Sequence, residues 1–258
     1  MDEIVLLPSD HRSAVALIGA LDPPHRVRAV STFADLQSLL ENGLPLACLV
    51  DIFDSAPPTP LDALRQLRGR YPTLALIVAT DFTGREMDLY RLGRIRVDGV
   101  IRMEENPTPR DITAVVEKAI AASLATRVVR EQGRGLPPLG REALRWAIEH
   151  AEFRPQVSEL AAAMAMGPRA LSREMRALKL GSARKLLLWG RLIRASHLLE
   201  RSVETVESVA FRLGYSSSGA LGKALKRHVG YSPTELLEHG GVRLAISVLR
   251  ERGLPVGD

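Results

Sequence analysis

The chain has little of what usually settles a protein's chemistry at once. Its 258 residues contain one cysteine, Cys48, which excludes an intrachain disulfide framework and any multi-cysteine zinc site. Cys48 lies in the apolar run LACLV, where a buried, inert thiol is expected rather than a nucleophile. The six histidines (11, 25, 150, 197, 228 and 239) show no metal-ligand spacing, and there is no Walker or dinucleotide-type glycine loop. No metal site and no enzyme activity are expected. No apolar run approaches the roughly 20 residues of a membrane span. The N-terminal MDEIVLLPSD carries acids where a secretory signal would carry bases. The expectation is a soluble, cytoplasmic protein that does not engage membranes.

What is present is an ordinary globular composition, 46% hydrophobic and 25% charged, long enough for two domains. The formal charge of +5 is unevenly spread. Residues 1–130 carry 15 Lys and Arg against 17 Asp and Glu, whereas residues 131–258 carry 20 against 13. A basic C-terminal half is attracted to polyanions and the N-terminal half is not. The two differ in periodicity as well. Short apolar runs at 4–7, 27–30, 46–52, 74–80 and 97–102 read as strands, alternating with helical patterns near 12–21, 33–42, 60–70, 84–93 and 109–128. Five such βα units predict a five-stranded parallel sheet with helices on both faces, that is, an α/β flavodoxin-like domain over 1–130. The Gly/Pro-rich 131–140, EQGRGLPPLG, reads as a linker. Beyond it the pattern is all-α, with a main domain over 141–240 and a C-terminal extension over 241–258.

The helical half contains a repeat. Val157, Leu160, Ala161 and Met164 match Val206, Val209, Ala210 and Leu213 at an offset of 49, both sets at the i, i+3, i+4, i+7 spacing of one helix face. After a turn the offset becomes 50, and Leu171 and Met175 match Leu221 and Leu225. Each copy is a short helix, a tight turn and a second amphipathic helix: a helix-turn-helix, present twice. Opposite its apolar side the first copy's second helix carries Arg169, Ser172, Arg173 and Arg176, and the second copy's carries Lys223, Lys226 and Arg227. Guanidinium groups on such a helix suit guanine edges and phosphate oxygens. A solvated basic face would look the same in either copy alone; two in tandem point to duplex DNA. Between the copies, 182–201 reads as one helix with Leu188, Leu192, Ala195 and Leu199 on a stripe. It would be a rod of about 30 Å, comparable to the ~34 Å repeat of the major groove.

Residues 139–240 resemble the DNA-binding domain of AraC/XylS-type transcription regulators. VAFRLGYSSSGALGKALKRHVGYSPTEL (209–236) is similar to that family's second helix-turn-helix, and SELAAAMAMGPRALSREMRAL (158–178) to its first. The resemblance implies a seven-helix domain with Arg169, Ser172 and Arg173 facing bases in the first unit. Ser218, Gly219 and Lys223 take those places in the second, and Ser217, Arg176, Lys226 and Arg227 complete the candidate DNA-binding set. Leu221 and Leu225 stand where the family usually has Phe, and Ala165 replaces the first turn's glycine. The resemblance implies regulation of transcription, with RNA polymerase as a partner.

The N-terminal half resembles a response-regulator receiver domain. VLLPSDHR (5–12), CLVDIF (48–53), IVAT (77–80) and VDGVIRM (97–103) correspond to the strand ends that hold that family's chemistry. The resemblance implies Asp51 as phospho-acceptor, Asp10 as one of two Mg²⁺-holding acids and Thr80 as the hydroxyl. Ser9 replaces the other acid and Met103 stands where the lysine belongs, while Arg102 is one residue early and so on the opposite strand face. Asp54 could lend a further carboxylate from the loop, but a solvated turn residue is expected there. The expectation is a pseudo-receiver used for dimerisation or for binding a regulatory protein, with Mg²⁺ relevant only if the pocket functions. The alternative is a genuine two-component response regulator phosphorylated on Asp51.

Overall fold

The computed structural model describes residues 3–52, 60–201 and 204–251. It divides into two compact units, Met1–Ser123 and Leu124–Asp258. Asp54 lies outside the described residues, as does 252–258 of the expected C-terminal extension.

The N-terminal unit is built on five parallel strands, β1 (Glu3–Leu7), β2 (Arg26–Ala29), β3 (Ala47–Val50), β4 (Leu76–Thr80) and β5 (Gly99–Arg102), in the order β2-β1-β3-β4-β5. This is the flavodoxin-like order, whose switch point lies between β1 and β3. Alternation along the strands makes two cores. Val5, Leu7, Cys48, Val50, Leu76 and Val78 point to one face; Ile4, Leu6, Ala47, Leu49, Ile77 and Ala79 point to the other. Strands covered on both sides have no polar face, hence the near-continuous apolar runs in the sequence. Helices α1 (His11–Leu21), α2 (Phe33–Asn42), α3 (Pro60–Arg70), α4 (Glu86–Ile95) and α5 (Pro109–Gln132) supply the covers. Leu36, Leu64 and Leu92 from α2, α3 and α4 enter the first core, and Leu17 and Val116 from α1 and α5 the second. Burial pushes the Cys48 thiol well above its ordinary range, as expected of an inert core residue. Ile112, Val116, Ala119 and Ile120 are fully enclosed against the sheet.

The C-terminal unit takes up the end of α5, whose Leu124, Ala125 and Val128 belong to its core. The stretch 131–140 is therefore folded rather than an open linker. It holds the last residues of α5, a 3₁₀ turn (Gly133–Gly135) and the start of α6 (Pro138–Glu149), with Leu136 buried between. The glycines and prolines mark a tight turn between two helices, which composition alone does not distinguish from a flexible tether. There follow α7 (Val157–Ala163), α8 (Pro168–Ala177), α9 (Ala183–Leu199), α10 (Val206–Arg212), α11 (Ser218–His228), α12 (Pro233–Glu238) and α13 (Gly241–Glu251). Among the described residues, α6 to α12 fill the region in which seven helices were expected. The expected C-terminal extension is, over its first eleven residues, the further core helix α13, with Val242, Ala245, Ile246 and Leu249 buried.

Helix α9 differs most from expectation. At 17 residues it is shorter than the expected 20-residue rod, about 25 Å long, and it is buried around most of its circumference rather than along one stripe. Leu186, Trp189, Leu192, Ile193, Ala195 and Leu198 are all enclosed because α6, α7, α8, α10, α12 and α13 pack around it. Gly190 is explained by this packing: a Cβ there would lie 2.5 Å from the Ala147 carbonyl oxygen of α6. Arg194 of the same helix is fully buried. It meets Glu152 in the 3₁₀ turn Ala151–Phe153, with Nε donating to Oε1 at 2.8 Å. Arg212 of α10 donates to the other Glu152 oxygen at 2.7 Å and to Glu204 at 2.7 Å. Burial pushes the Glu152 carboxyl up, but Arg194 and Arg212 outweigh it and hold the carboxyl below its ordinary value.

Gly190→Ala is expected to lower stability by about 1–3 kcal/mol, because the clash is with backbone that no rotamer relieves. Denaturant unfolding of the full chain checks this; an unchanged midpoint would contradict the close approach. Glu152 has a folded-state pKa below its unfolded value, so its contribution is complete above pH 4.5 and is lost as pH falls through the folded value. Stability is therefore expected to drop on acidification below about pH 4.5. Glu152→Gln is expected to cost about 3 kcal/mol at neutral pH and to flatten that acid dependence.

Candidate nucleic-acid interface

The two helix-turn-helix units are α7–α8 and α10–α11, and their turns correspond bond for bond. In the first, the Ala165 N–H donates to Ala162 and that of Met166 to Ala161 at 2.9 and 2.8 Å. In the second, Gly214 donates to Phe211 and Tyr215 to Ala210 at 3.0 and 2.8 Å. Both turns need a left-handed residue, and the offset of 49 places Ala165 (φ 54°) against Gly214 (φ 77°). Ala165 bears the Cβ cost of that region, which Gly214 avoids. The repeated apolar positions Leu160, Ala161, Leu171 and Met175, and Val209, Ala210, Leu221 and Leu225, are all buried. Leu221 and Leu225, where the resemblance would place Phe, are fully buried.

The outer faces of the second helices are unalike. On α8, Arg169, Ser172, Arg173 and Arg176 are all exposed, opposite buried Leu171 and Met175. Among the described residues, none of the three arginines has an ion-pair partner. The Ser172 hydroxyl donates back to the Pro168 carbonyl at 2.9 Å, leaving its oxygen lone pairs to accept. On α11, Ser217 is the N-cap, accepting from the Ala220 N–H at 3.1 Å, so its hydroxyl has a folding role. Ser218, Lys223, Lys226 and Arg227 are exposed. The Lys226 ammonium is held by Glu235 at 2.8 Å. That contact, with the Ser232 backbone and hydroxyl behind it, holds the Glu235 carboxyl down to about 2. Lys226 thus carries a neighbouring negative charge that the sequence spacing did not reveal. Gly219 and Gly222 line the same helix, and a Cβ at either would meet nothing closer than 3.7 Å.

In the N-terminal unit, Ser9, Asp51 and Met103 follow the carboxyl ends of β1, β3 and β5, and Thr80 is the last residue of β4. Asp51 and Thr80 are buried. The Ser9 hydroxyl donates to Asp51 Oδ2, while Asp51 Oδ1 is enclosed without a partner. Asp10 caps α1, accepting from the Ser13 N–H at 2.9 Å and the Ser13 hydroxyl at 2.6 Å, with its Oδ2 also 3.4 Å from the Ser9 hydroxyl. Those bonds hold its carboxyl below the usual range. Met103 packs against the sheet core. Arg102 is engaged by Glu104 (2.9 Å) and Glu105, so it does not replace the missing lysine. The receiver resemblance implies Mg²⁺, but the donors do not fit it: one acid caps a helix, a hydroxyl replaces the second, and the acceptor already receives that hydroxyl. Among the described residues no three His, Cys, Asp or Glu side chains gather to hold a metal ion, and no helix is long and apolar enough to cross a membrane.

No curated protein matches the chain. Among solved structures it is similar to a response regulator receiver domain protein from Clostridium thermocellum, at 17% identity and a TM-score of 0.39, covering 46% of this chain and 94% of that one. It is also similar to NtrX from Brucella abortus (18%, TM-score 0.45, 69% and 46% coverage). A third likeness is to full-length FixJ from B. japonicum (13%, TM-score 0.40, 88% and 96% coverage). Residues 160–239 match the family model described as a helix-turn-helix domain. With both units, both turns and both buried apolar sets in register, the C-terminal unit carries a helix-turn-helix domain, and the N-terminal unit that precedes it in sequence has the flavodoxin-like fold.

Proposed function

We propose that the protein is a sequence-specific, duplex-DNA-binding transcription regulator that works without enzymatic activity of its own. The observation that carries this reading is the outer face of α8, where three exposed arginines stand without ion pairs opposite a buried apolar side. Arg169 and Arg173 read base edges in the major groove, Ser172 accepts from a base or phosphate, and Arg176 follows the backbone. The second unit anchors more than it reads. Lys223, Arg227 and the Glu235-paired Lys226 suit phosphates, while Gly219 and Gly222 offer no side chain to a base edge. RNA polymerase, a second copy of the chain and a regulatory protein docking on the N-terminal unit are the partners this reading entails, in the cytoplasm.

The N-terminal unit acts as a pseudo-receiver. Support comes from Ser9 donating into Asp51, Asp10 committed to its helix cap, and Met103 in place of a lysine. Without the ammonium, an acyl phosphate at Asp51 lacks its counter-charge. The second reading, a response regulator phosphorylated on Asp51, is favoured by one feature, the enclosed and unpartnered Asp51 Oδ1.

Binding-site selection on the wild type and on Arg173→Ala is expected to show a loss of about 1–3 kcal/mol confined to the best sites, with relaxed preference in one half-site. Equal information content in both half-sites would remove the division of labour. Asp51→Ala is expected to leave DNA affinity within about twofold of wild type, since removing a carboxylate already hydrogen-bonded within its pocket changes little outside it. Small phosphodonors are expected to leave little acyl phosphate on the chain. Stoichiometric, Mg²⁺-dependent labelling of Asp51 with a shift in oligomeric state would establish the second reading instead.

A further inference from the structure

Helix α9 is enclosed on most sides, and the side chains it leaves open are concentrated near its start. Arg184 is exposed, and Leu188 and Arg191 are half-buried. They follow one another at i, i+4 and i+7, on one face, with the two arginines about 10 Å apart along the axis. This open stripe forms one wall of a cleft of about 500 Å³, whose other wall is Gln156, Val157 and Ser158 at the beginning of α7. The two guanidinium groups have no acidic partner among the described residues. Arg191 Nε is enclosed without an acceptor. The Arg191 guanidinium lies 5.9 Å from the ring centroid of Tyr215, in the turn that leads into α11. The Tyr215 hydroxyl is likewise enclosed without a partner. A cleft lined by two cations without ion pairs, an amide and a hydroxyl is complementary to an oxygen-rich anion. Its position limits the choice. The cleft borders the first helix of one helix-turn-helix, the element that crosses the sugar-phosphate backbone when such a unit docks. Through Arg191 it also reaches the turn of the other unit.

We propose that this cleft seats the sugar-phosphate backbone of duplex DNA, with Arg184 and Arg191 as phosphate-contacting residues on the helix that joins the two recognition helices. The proposal rests on the DNA-binding reading and deepens it. It makes α9 a third contact element, one that adds affinity without sequence information.

The test is binding of the full chain to a random-sequence duplex pool, measured by fluorescence anisotropy over a series of salt concentrations. The double variant Arg184→Gln/Arg191→Gln is expected to lose at least about tenfold in affinity across the pool. Its log–log salt slope is expected to flatten by about 0.9 for each contact removed, with the wild-type base preference retained in binding-site selection. Arg191→Lys, which keeps the charge, is expected to hold the wild-type slope. Should the double variant unfold, Arg184→Gln alone, at an exposed position, carries the test: a slope flattened by one contact is expected, and an unchanged one is fatal. Unaltered affinity and slope in a folded double variant would overturn the proposal, as would a changed base preference. A wild-type chain that binds no duplex at any salt concentration would overturn the DNA-binding reading and the cleft with it. Wild-type binding with silent arginine variants would overturn the cleft alone.

Discussion

Packing around α9 governs the C-terminal unit. Six other helices lie against it, and two features of its sequence have meaning only in that setting. Gly190 lets α6 approach until the Ala147 carbonyl stands where a Cβ would be. Arg194 brings a full charge into the core and is compensated by Glu152, which Arg212 shares from the second helix-turn-helix. A buried cation is costly unless paired and hydrogen-bonded, so the position of α10 is tied to that of α9 through one carboxylate. The two units are therefore fixed to the same helix rather than tethered by it. Their spacing follows from how they pack on its sides, not from how long it is, and the comparison of a 30 Å rod with the groove repeat loses its basis.

Much of this was legible in the sequence where periodicity is strong. The strand runs in the N-terminal half are buried on both faces, so they stand out as apolar blocks; they were placed to within a few residues. The repeat at offsets of 49 and 50 located both turns, including the left-handed site shared by Ala165 and Gly214. What escaped depends on contacts distant in sequence. Glu152 and Arg194 are 42 residues apart, and neither stands in a pattern that marks a charge as buried. Lys226 looked like a free phosphate anchor because Glu235, nine positions on, had no assigned place. Of the stripe Leu188, Leu192, Ala195 and Leu199, the last three are buried, whereas Leu188 is among the more open positions of α9. With apolar residues nearly all round the helix, spacing gave no means of choosing the exposed side; the arginines at 184 and 191 were the available signal.

Composition misled at 131–140 for a related reason. Glycine and proline mark a change of direction, and a tight helix-to-helix turn demands them as much as a tether does. Leu136, buried in the middle of the segment, is the residue that separates the two cases, and a single leucine carries no periodicity. The same holds in the receiver-like pocket. Residue types alone identified Ser9 and Met103 as departures, but the use the fold makes of Asp10, as a helix cap bonded twice to Ser13, required coordinates.

The difference between the recognition helices follows from these constraints taken together. On α8 the arginines are unpaired, so their charge and donors are wholly available to a ligand, and no bond within the protein must be broken first. On α11 the N-cap serine, the Lys226–Glu235 pair and the capping box of Ser232 with Glu235 all spend polar groups on holding α11 and α12 in place. Two glycines then add helix-forming cost on a face where packing would accept alanine. A helix that gives its polar groups to its own support has fewer left for base edges, but it presents a smooth and closely approachable backbone. Rigid placement on one side and free guanidinium groups on the other are complementary. On the function proposed above, an anchor that does not discriminate would fix the register in which Arg169, Ser172 and Arg173 meet the groove.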